Sequence, residues 1–510
     1  MEARVRTLAC LLGLALLVAA CRPATPTPEP SPAEPEALPP GSPFDVDWSD
    51  RSTFAPGLVT SYQGILSGLP GASVYHLELT IADDLASVKG VEEVLYTNTE
   101  AAPLDQVALH LFPNLLGGEM TLSTVRVEGV DAEPVYGDGD GSAAIALDPA
   151  LEPGASIEIR LEFSVSVPND IKLNYGMFAN NAGILAYAHG YPMIAVYDSD
   201  GWNVEIPPLL GDITYADASF YLVRVHAPKD LVLCTSGIEV ARGEADGRQV
   251  VTFAAGPARD FYLAASRDYE VLNETAGPVT LRVCTPGYGL EAGRRILEVA
   301  AGALDVFGQR YGEYPYTELD MITTPTLALG IEYPGAFALT DRLFTQEEDF
   351  EGAPESVYLE STVAHETAHE WFYNLVGNDQ LDDPWLDEAL AQYAMFQYYA
   401  VTYGDSSAQG TLSSFYDRRD RVERQAIAIG MPVGAYDERS YAAIIYGRGP
   451  LFIIALRDEM GVQVFDGFMR EYVAAFAWEE AAPQDLKQLA EVHCGCDLTP
   501  LFNAWVYSRP

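Results

Sequence analysis

A chain of 510 residues with 48% hydrophobic side chains is too long for one core and too apolar to be disordered; it suggests two to three domains. Its 74 acidic residues against 29 basic ones give a formal charge of −45, which makes nucleic acid and anionic membrane surfaces poor partners. Such a field attracts cations, although it serves equally well to keep a protein soluble or salt-tolerant.

At the start of the chain, Arg4 and Arg6 precede the apolar run Leu8 to Ala20. That run is too short to span a bilayer comfortably, and the pattern predicts a signal peptide over residues 1–20. The run ends Leu-Val-Ala-Ala-Cys21, which resembles a bacterial lipobox. The resemblance implies lipidation of Cys21 and an extracytoplasmic protein anchored to a bacterial membrane; the plainer alternative is an ordinary cleavage site with an incidental cysteine. Residues 21–52 are expected to form a tether, since nine prolines fall between Arg22 and Pro43 with Thr, Ser and Glu interleaved.

Residues 53–266 are expected to form an all-β domain. Segments such as Tyr75-His-Leu-Glu-Leu-Thr-Ile and Ser156-Ile-Glu-Ile-Arg-Leu-Glu-Phe alternate apolar and polar residues between Gly, Pro and Asp turns. His76, His110, His189 and His226 are scattered through it with no ligand spacing. Cys234, Cys284, Cys494 and Cys496 permit disulfides in an oxidising compartment, with the pairing left open.

Residues 267–510 change period. A short β passage through Cys284 gives way to a helix over Leu290 to Tyr311, then a strand Glu318-Leu-Asp-Met-Ile-Thr-Thr, then mostly helices. A helical segment is expected over Tyr358 to Val376, broken by the loop Gly377–Pro384, with Pro384 opening the next helix. The first of these helices carries His365-Glu366-Thr-Ala-His369, and Glu388 follows nineteen positions later in Trp-Leu-Asp-Glu. Residues four apart share a helix face, so both imidazoles reach one metal while Glu366 projects beside it. Two His and one Glu, with a fourth position open to water, make the hydrolytic form of a zinc site. One Zn2+ per chain is therefore expected on His365, His369 and Glu388.

These residues resemble the aminopeptidase N-type gluzincin zinc metallopeptidases. The motif with Glu388 is similar to that family's H-E-x-x-H and W-L-N-E. Leu329-Gly330-Ile331-Glu332-Tyr333-Pro334 resembles its G-x-M-E-N loop, thirty-three positions from Glu332 to His365, and Tyr441 to Gly449 resembles its Y-E-K-G segment. The similarity runs over roughly residues 70 to 507 and is strongest from 320 to 460. It implies an α+β multidomain fold: a saddle-like N-terminal all-β domain, then a thermolysin-like α/β catalytic domain, in a short form without the large C-terminal helical domain. It also implies that the Tyr191–Trp202 region approaches the site.

In the activity so implied, N-terminal residues are hydrolysed from peptides. Glu366 acts as general base and then as acid, Tyr446 stabilises the oxyanion, and Glu332 with Gly330 binds the substrate's free α-ammonium. Asn374 and Asp387 are candidates for orienting the ligands. Three positions differ from the family: Leu329 replaces Gly, Tyr333 replaces Asn, and Gly447-Arg448 replaces Glu-Lys. These bear on the first side-chain pocket and on the amine anchor. The alternatives are an endopeptidase or dual hydrolase on the same centre, and a non-catalytic peptide-binding surface protein.

Overall fold

A computed structural model describes residues 43–344, 355–423 and 427–507. The expected signal, Cys21 and the proline-rich part of the tether before Pro43 lie outside the described residues. No helix among the described residues is long and apolar enough to cross a membrane.

The first half is built from sheets. An eight-stranded sheet runs in the order Ile238–Ala245, Arg248–Ala258, Ser219–Ala227, Val74–Ile81, Ser87–Thr97, Ser156–Ser166, Glu119–Val127, Val130–Asp131. All its pairings are antiparallel except that between Val74–Ile81 and Ser219–Ala227. The alternation visible in the sequence is structural: along Ser87–Thr97 every second residue, Val88 through Tyr96, is buried. Two four-stranded sheets pack with it around one core that includes Leu77, Val107, Phe178 and Tyr221.

A five-stranded sheet follows, ordered Tyr269–Ala276, Val279–Pro286, Glu318–Thr324, Ala336–Thr340, Gly330–Tyr333. Its two faces serve different cores. Leu281, Val283, Leu319, Met321, Phe337 and Leu339 pack against the helices, whereas Cys284, Ile322, Ile331, Tyr333 and Ala338 pack into the β half. Both faces are thus covered, which explains why Leu319 to Thr324 is buried throughout rather than in alternation.

Two further features tie the halves together. Cys234 in the β half is disulfide-bonded to Cys284 in the five-stranded sheet, a loop of about 50 residues, and closing a loop of that length stabilises a fold by about 4 kcal/mol on the chain-entropy account. The other pair is Cys494–Cys496, a disulfide between residues two apart. Arg259, only 2% exposed, leaves the β half to donate to the carbonyls of Tyr373 (2.7 Å), Ala216 (3.0 Å) and Glu479 (2.6 Å), with Glu480 at 3.4 Å. Gly377 makes room for it, since a Cβ there would lie 2.1 Å from the guanidinium carbon.

The helices are α1 (Leu290–Tyr311), α2 (Glu355–Ala368), α3 (Trp385–Tyr403), α4 (Asp405–Arg419), α5 (Glu438–Ala443) and α6 (Gly449–Met460), with three shorter or C-terminal ones after them. From Trp385 to Tyr399 every residue of α3 is buried, which marks it as the central helix of this half. One expectation is corrected here. The helical segment predicted to reach Val376 ends at Ala368. Beyond it the chain turns sharply, Tyr373 adopting φ 135°, because the Trp371, Phe372, Leu375 and Val376 side chains pack inward from a turn, with no helical face involved.

Candidate metal centre and substrate cleft

The last turn of α2 and the first turn of α3 face each other. His365 is on α2, His369 one residue past its end, and Glu388 at the fourth position of α3. His365 Nε2 and His369 Nε2 are 3.2 Å apart, and Glu388 Oε2 lies 3.1 and 3.6 Å from them. Glu388 Oε2 nevertheless accepts no hydrogen bond. His369 Nδ1 sits 2.9 Å from the Phe372 carbonyl, an acceptor for an Nδ1 proton that would leave Nε2 free to hold a metal. The Gln392 amide lies 3.3 Å from His365 Nδ1. Three donor atoms, two ring nitrogens and one carboxylate oxygen, therefore converge on one point. Two imidazoles and a carboxylate suit zinc, so the residues present fit that ion.

Electrostatics argue the same way. Burial pushes His365 down from its ordinary pKa. Burial would push His369 down too, but Glu332, Glu388 and Glu366 carry it well above. Burial opposes ionisation of Glu388 as well, yet the two imidazoles hold it at about 2. Glu366 is pushed well up by burial, with Glu332 and Glu388 adding to the effect. A divalent cation supplies the positive charge that this crowded set of carboxylates lacks.

A second trio, Glu332, Glu366 and His369, also has ligand atoms within 4.8 Å of one another. It offers one nitrogen and two carboxylates, and the set with two imidazoles is the better zinc site. Glu366 sits against Gly330: a Cβ there would come within 2.3 Å of Glu366 Oε1. Gly330 thus has a steric role beside the predicted base, whose Oε2 accepts no hydrogen bond.

Tyr446 is on a π-helical turn, Ile444–Arg448, inserted between α5 and α6, and donates to Glu388 Oε1. That insertion carries its hydroxyl to the ligand triangle. Glu332 lies on the edge strand Gly330–Tyr333, accepting from Gln380 Nε2 at 3.1 Å. Tyr333 points to the opposite face and stacks on Tyr262 at 3.8 Å between ring centroids. The change from Asn to Tyr beside the carboxylate is therefore a packing change against the β half. Gly447 is equally structural, because a Cβ there would meet the Arg419 backbone nitrogen at 2.7 Å.

Of the two residues expected to orient ligands, Asp387 accepts from Gln380 (2.8 Å) and Asn378 (3.3 Å), tying the Glu332 anchor to α3. Asn374 instead donates to Glu370 at 3.0 Å, and Glu370 accepts from the Gly335 N–H at 3.1 Å in the turn after the Glu332 strand. Its side chain braces that hairpin, while its backbone N–H donates to the His369 carbonyl at 3.0 Å.

Gly330, Glu332, His365, Glu366, Glu388, Gln392 and Tyr446 open on a cavity of about 570 Å³ whose wall also includes Met177, Gly211, Asp212, Met395 and Arg418. None of the latter group was singled out from the sequence. No residue of the Tyr191–Trp202 region lines it; the β half reaches the cleft through Tyr175, Met177 and Leu210–Asp212. Asp212 is held well above the usual carboxylate pKa by burial and then by Glu332 and Glu388. Gln392 had a legible signal, since it falls one helical turn after Glu388. Asp212 and Arg418 had none, because folding alone brings their loops to the cleft.

With this geometry in view, the comparisons with known proteins bear on the same region. Residues 295–505 match the peptidase family M1 domain. The matched segment holds His365, His369, Glu388 and Tyr446. The chain is 26% identical over 306 residues to aminopeptidase M1 of Arabidopsis thaliana, covering 57% of this chain and 34% of that one. It is 25% identical over 331 residues to a probable aminopeptidase 2 of Sulfurisphaera tokodaii, covering 63% and 42%. The chain thus spans between a third and about two-fifths of the length of these relatives. A crystal structure of an M1 zinc metallopeptidase from Deinococcus radiodurans superposes with a TM-score of 0.65 at 20% identity, covering 86% of this chain and 95% of that one. Another form of that protein, bound to a Tyr-Ser-Ala substrate, gives 0.64. The chain therefore shares the fold of that structure, an N-terminal β domain followed by an α/β region.

Proposed function

We propose that this protein is a zinc-dependent aminopeptidase that hydrolyses N-terminal residues from peptides. The observation that carries the reading is the single cavity in which the His365–His369–Glu388 triangle meets the unpartnered Glu366 oxygen and the Glu332 carboxylate. Zinc held on the triangle supplies Lewis acidity toward water and toward a carbonyl oxygen. Glu366 takes the proton of the attacking water and returns it to the leaving amine. Tyr446 donates its phenolic hydrogen to the developing oxyanion. Glu332 pairs with the substrate's α-ammonium and so places the first peptide bond over the reacting groups. Gly330 keeps the space that Glu366 needs to move.

The test is a set of peptides offered with free and with N-acetylated termini to the zinc-loaded chain. Free peptides are expected to be cut and acetylated ones spared. Glu332→Ala is expected to lower kcat/KM on free peptides by about 10- to 100-fold, the worth of one charge-assisted contact. Equal cutting of both sets would replace the aminopeptidase with an endopeptidase.

We also propose that the protein is exported and anchored through Cys21. The segment ending Leu-Val-Ala-Ala-Cys21 supports this, as does the Cys234–Cys284 disulfide, a bond at home in an oxidising compartment. Expression in a bacterium fed an alkyne fatty acid should label the wild-type chain and leave Cys21→Ser unlabelled. Label retained in that variant would remove the anchor from the proposal.

A further inference from the structure

The cleft is polarised along its length. At one end Glu332, with Asp212 near it, acts on His369. At the other end Arg418, at the C-terminus of α4, places Nη1 3.4 Å from Gln392 Oε1 and 3.5 Å from the Tyr446 carbonyl. Gln392 in turn touches His365 at 3.3 Å. Arg418 reaches His365 through Gln392, and the ligand atom of Glu332 lies within 4.8 Å of that of His369, so the two charged ends abut different histidines of the triangle. Arg421, two residues beyond α4, lines the same cavity and is exposed.

Neither arginine has an ion-pair partner among the described residues, in a chain where acids outnumber bases by 74 to 29. Most other described arginines are paired, among them Arg282 with Glu318 and Asp320, Arg295 with Glu298 and Glu360, and Arg242 with Glu239. The two lie close enough to repel, and burial with Arg421 pushes the Arg418 guanidinium below its ordinary pKa. Two adjacent cations on the wall of a cleft, neither in an ion pair among the described residues, form an anion-binding arrangement.

We propose that Arg418 and Arg421 bind a carboxylate on the departing side of the substrate, either the α-carboxylate of a short peptide or an acidic side chain just after the cut bond. This rests on the aminopeptidase reading, in which an amine held at Glu332 directs the rest of the peptide past the triangle toward Arg418. The cleft then measures its substrate from both ends and favours short, free-ended or acidic peptides.

The test compares three peptides on the zinc-loaded full chain: Leu-Ala-Ala, its C-terminal amide, and Leu-Glu-Ala amide. Wild type is expected to prefer a carboxylate-bearing peptide over the neutral amide by about tenfold or more in kcat/KM. Preference for the free acid alone assigns the α-carboxylate, and preference for the Glu peptide alone assigns the side chain. Arg418→Gln and Arg421→Gln should each erode the preference while leaving the neutral amide within about threefold, and Arg418→Lys should retain part of it.

A structural role for Arg418 through Gln392 would lower all three peptides alike, and that result overturns the proposal, as does a wild type without preference. Calorimetric binding of Leu-Ala-Ala and its amide separates this proposal from the peptidase reading. If no peptide is cut, tighter binding of the acid that is lost in Arg418→Gln still upholds the arginine site, and equal binding of acid and amide ends it.

Discussion

Glu366→Gln is expected to lower kcat by about 10³- to 10⁴-fold while leaving one zinc per chain. The substitution is close to isosteric, so the contact with Gly330 persists and the end of α2 is not disturbed. What it removes is the proton acceptor whose Oε2 has no other partner. Zinc retention is the sharper half of the prediction. If the ion preferred the neighbouring trio of Glu332, Glu366 and His369, the same variant would lose metal along with activity. Metal analysis beside single-turnover kinetics therefore distinguishes a general base from a ligand. Activity within tenfold of wild type would remove Glu366 from the chemistry.

Arg259→Ala is expected to cost about 3 to 5 kcal/mol of stability, read as a lower denaturant midpoint. The side chain is buried between the halves and serves four carbonyls, those of Tyr373, Leu375 and Glu479 in the helical half and of Ala216 in the β half, with Glu480 at its rim. Deleting it strands those carbonyls and leaves a cavity against Gly377. Because Tyr373 follows His369 by four residues, a secondary loss of zinc affinity is expected through a loosened post-helical turn. A loss below about 1 kcal/mol would mean that water replaces the guanidinium there.

The clustering of His365, His369 and Glu388 was legible because its geometry is local. The spacing of His365 and His369 is one helical turn, and Glu388 needs only a second helix opening at Pro384 to face them. The strands of the β half were legible for the same reason, since alternation along Ser87–Thr97 reports directly which face is covered. The overextended α2 marks where local information ran out. Trp371, Phe372, Leu375 and Val376 keep an apolar pattern, but their burial is satisfied by a turn that Arg259, distant in sequence, holds from outside.

By itself, then, the sequence determined the kind of chemistry: a two-histidine, one-glutamate metal triangle with a base beside it, on helices that follow a β-rich half. Tertiary structure decided what surrounds that triangle. It put Asp212 from the β half near Glu332, set Tyr333 against Tyr262 and away from the cleft, and brought Arg418 and Arg421 to the opposite end without partners among the described residues. The reason is physical. Ligand spacing is fixed by helical period over a few residues, whereas the charge along a cleft is a sum over loops that only the packing of two cores on one shared sheet brings together.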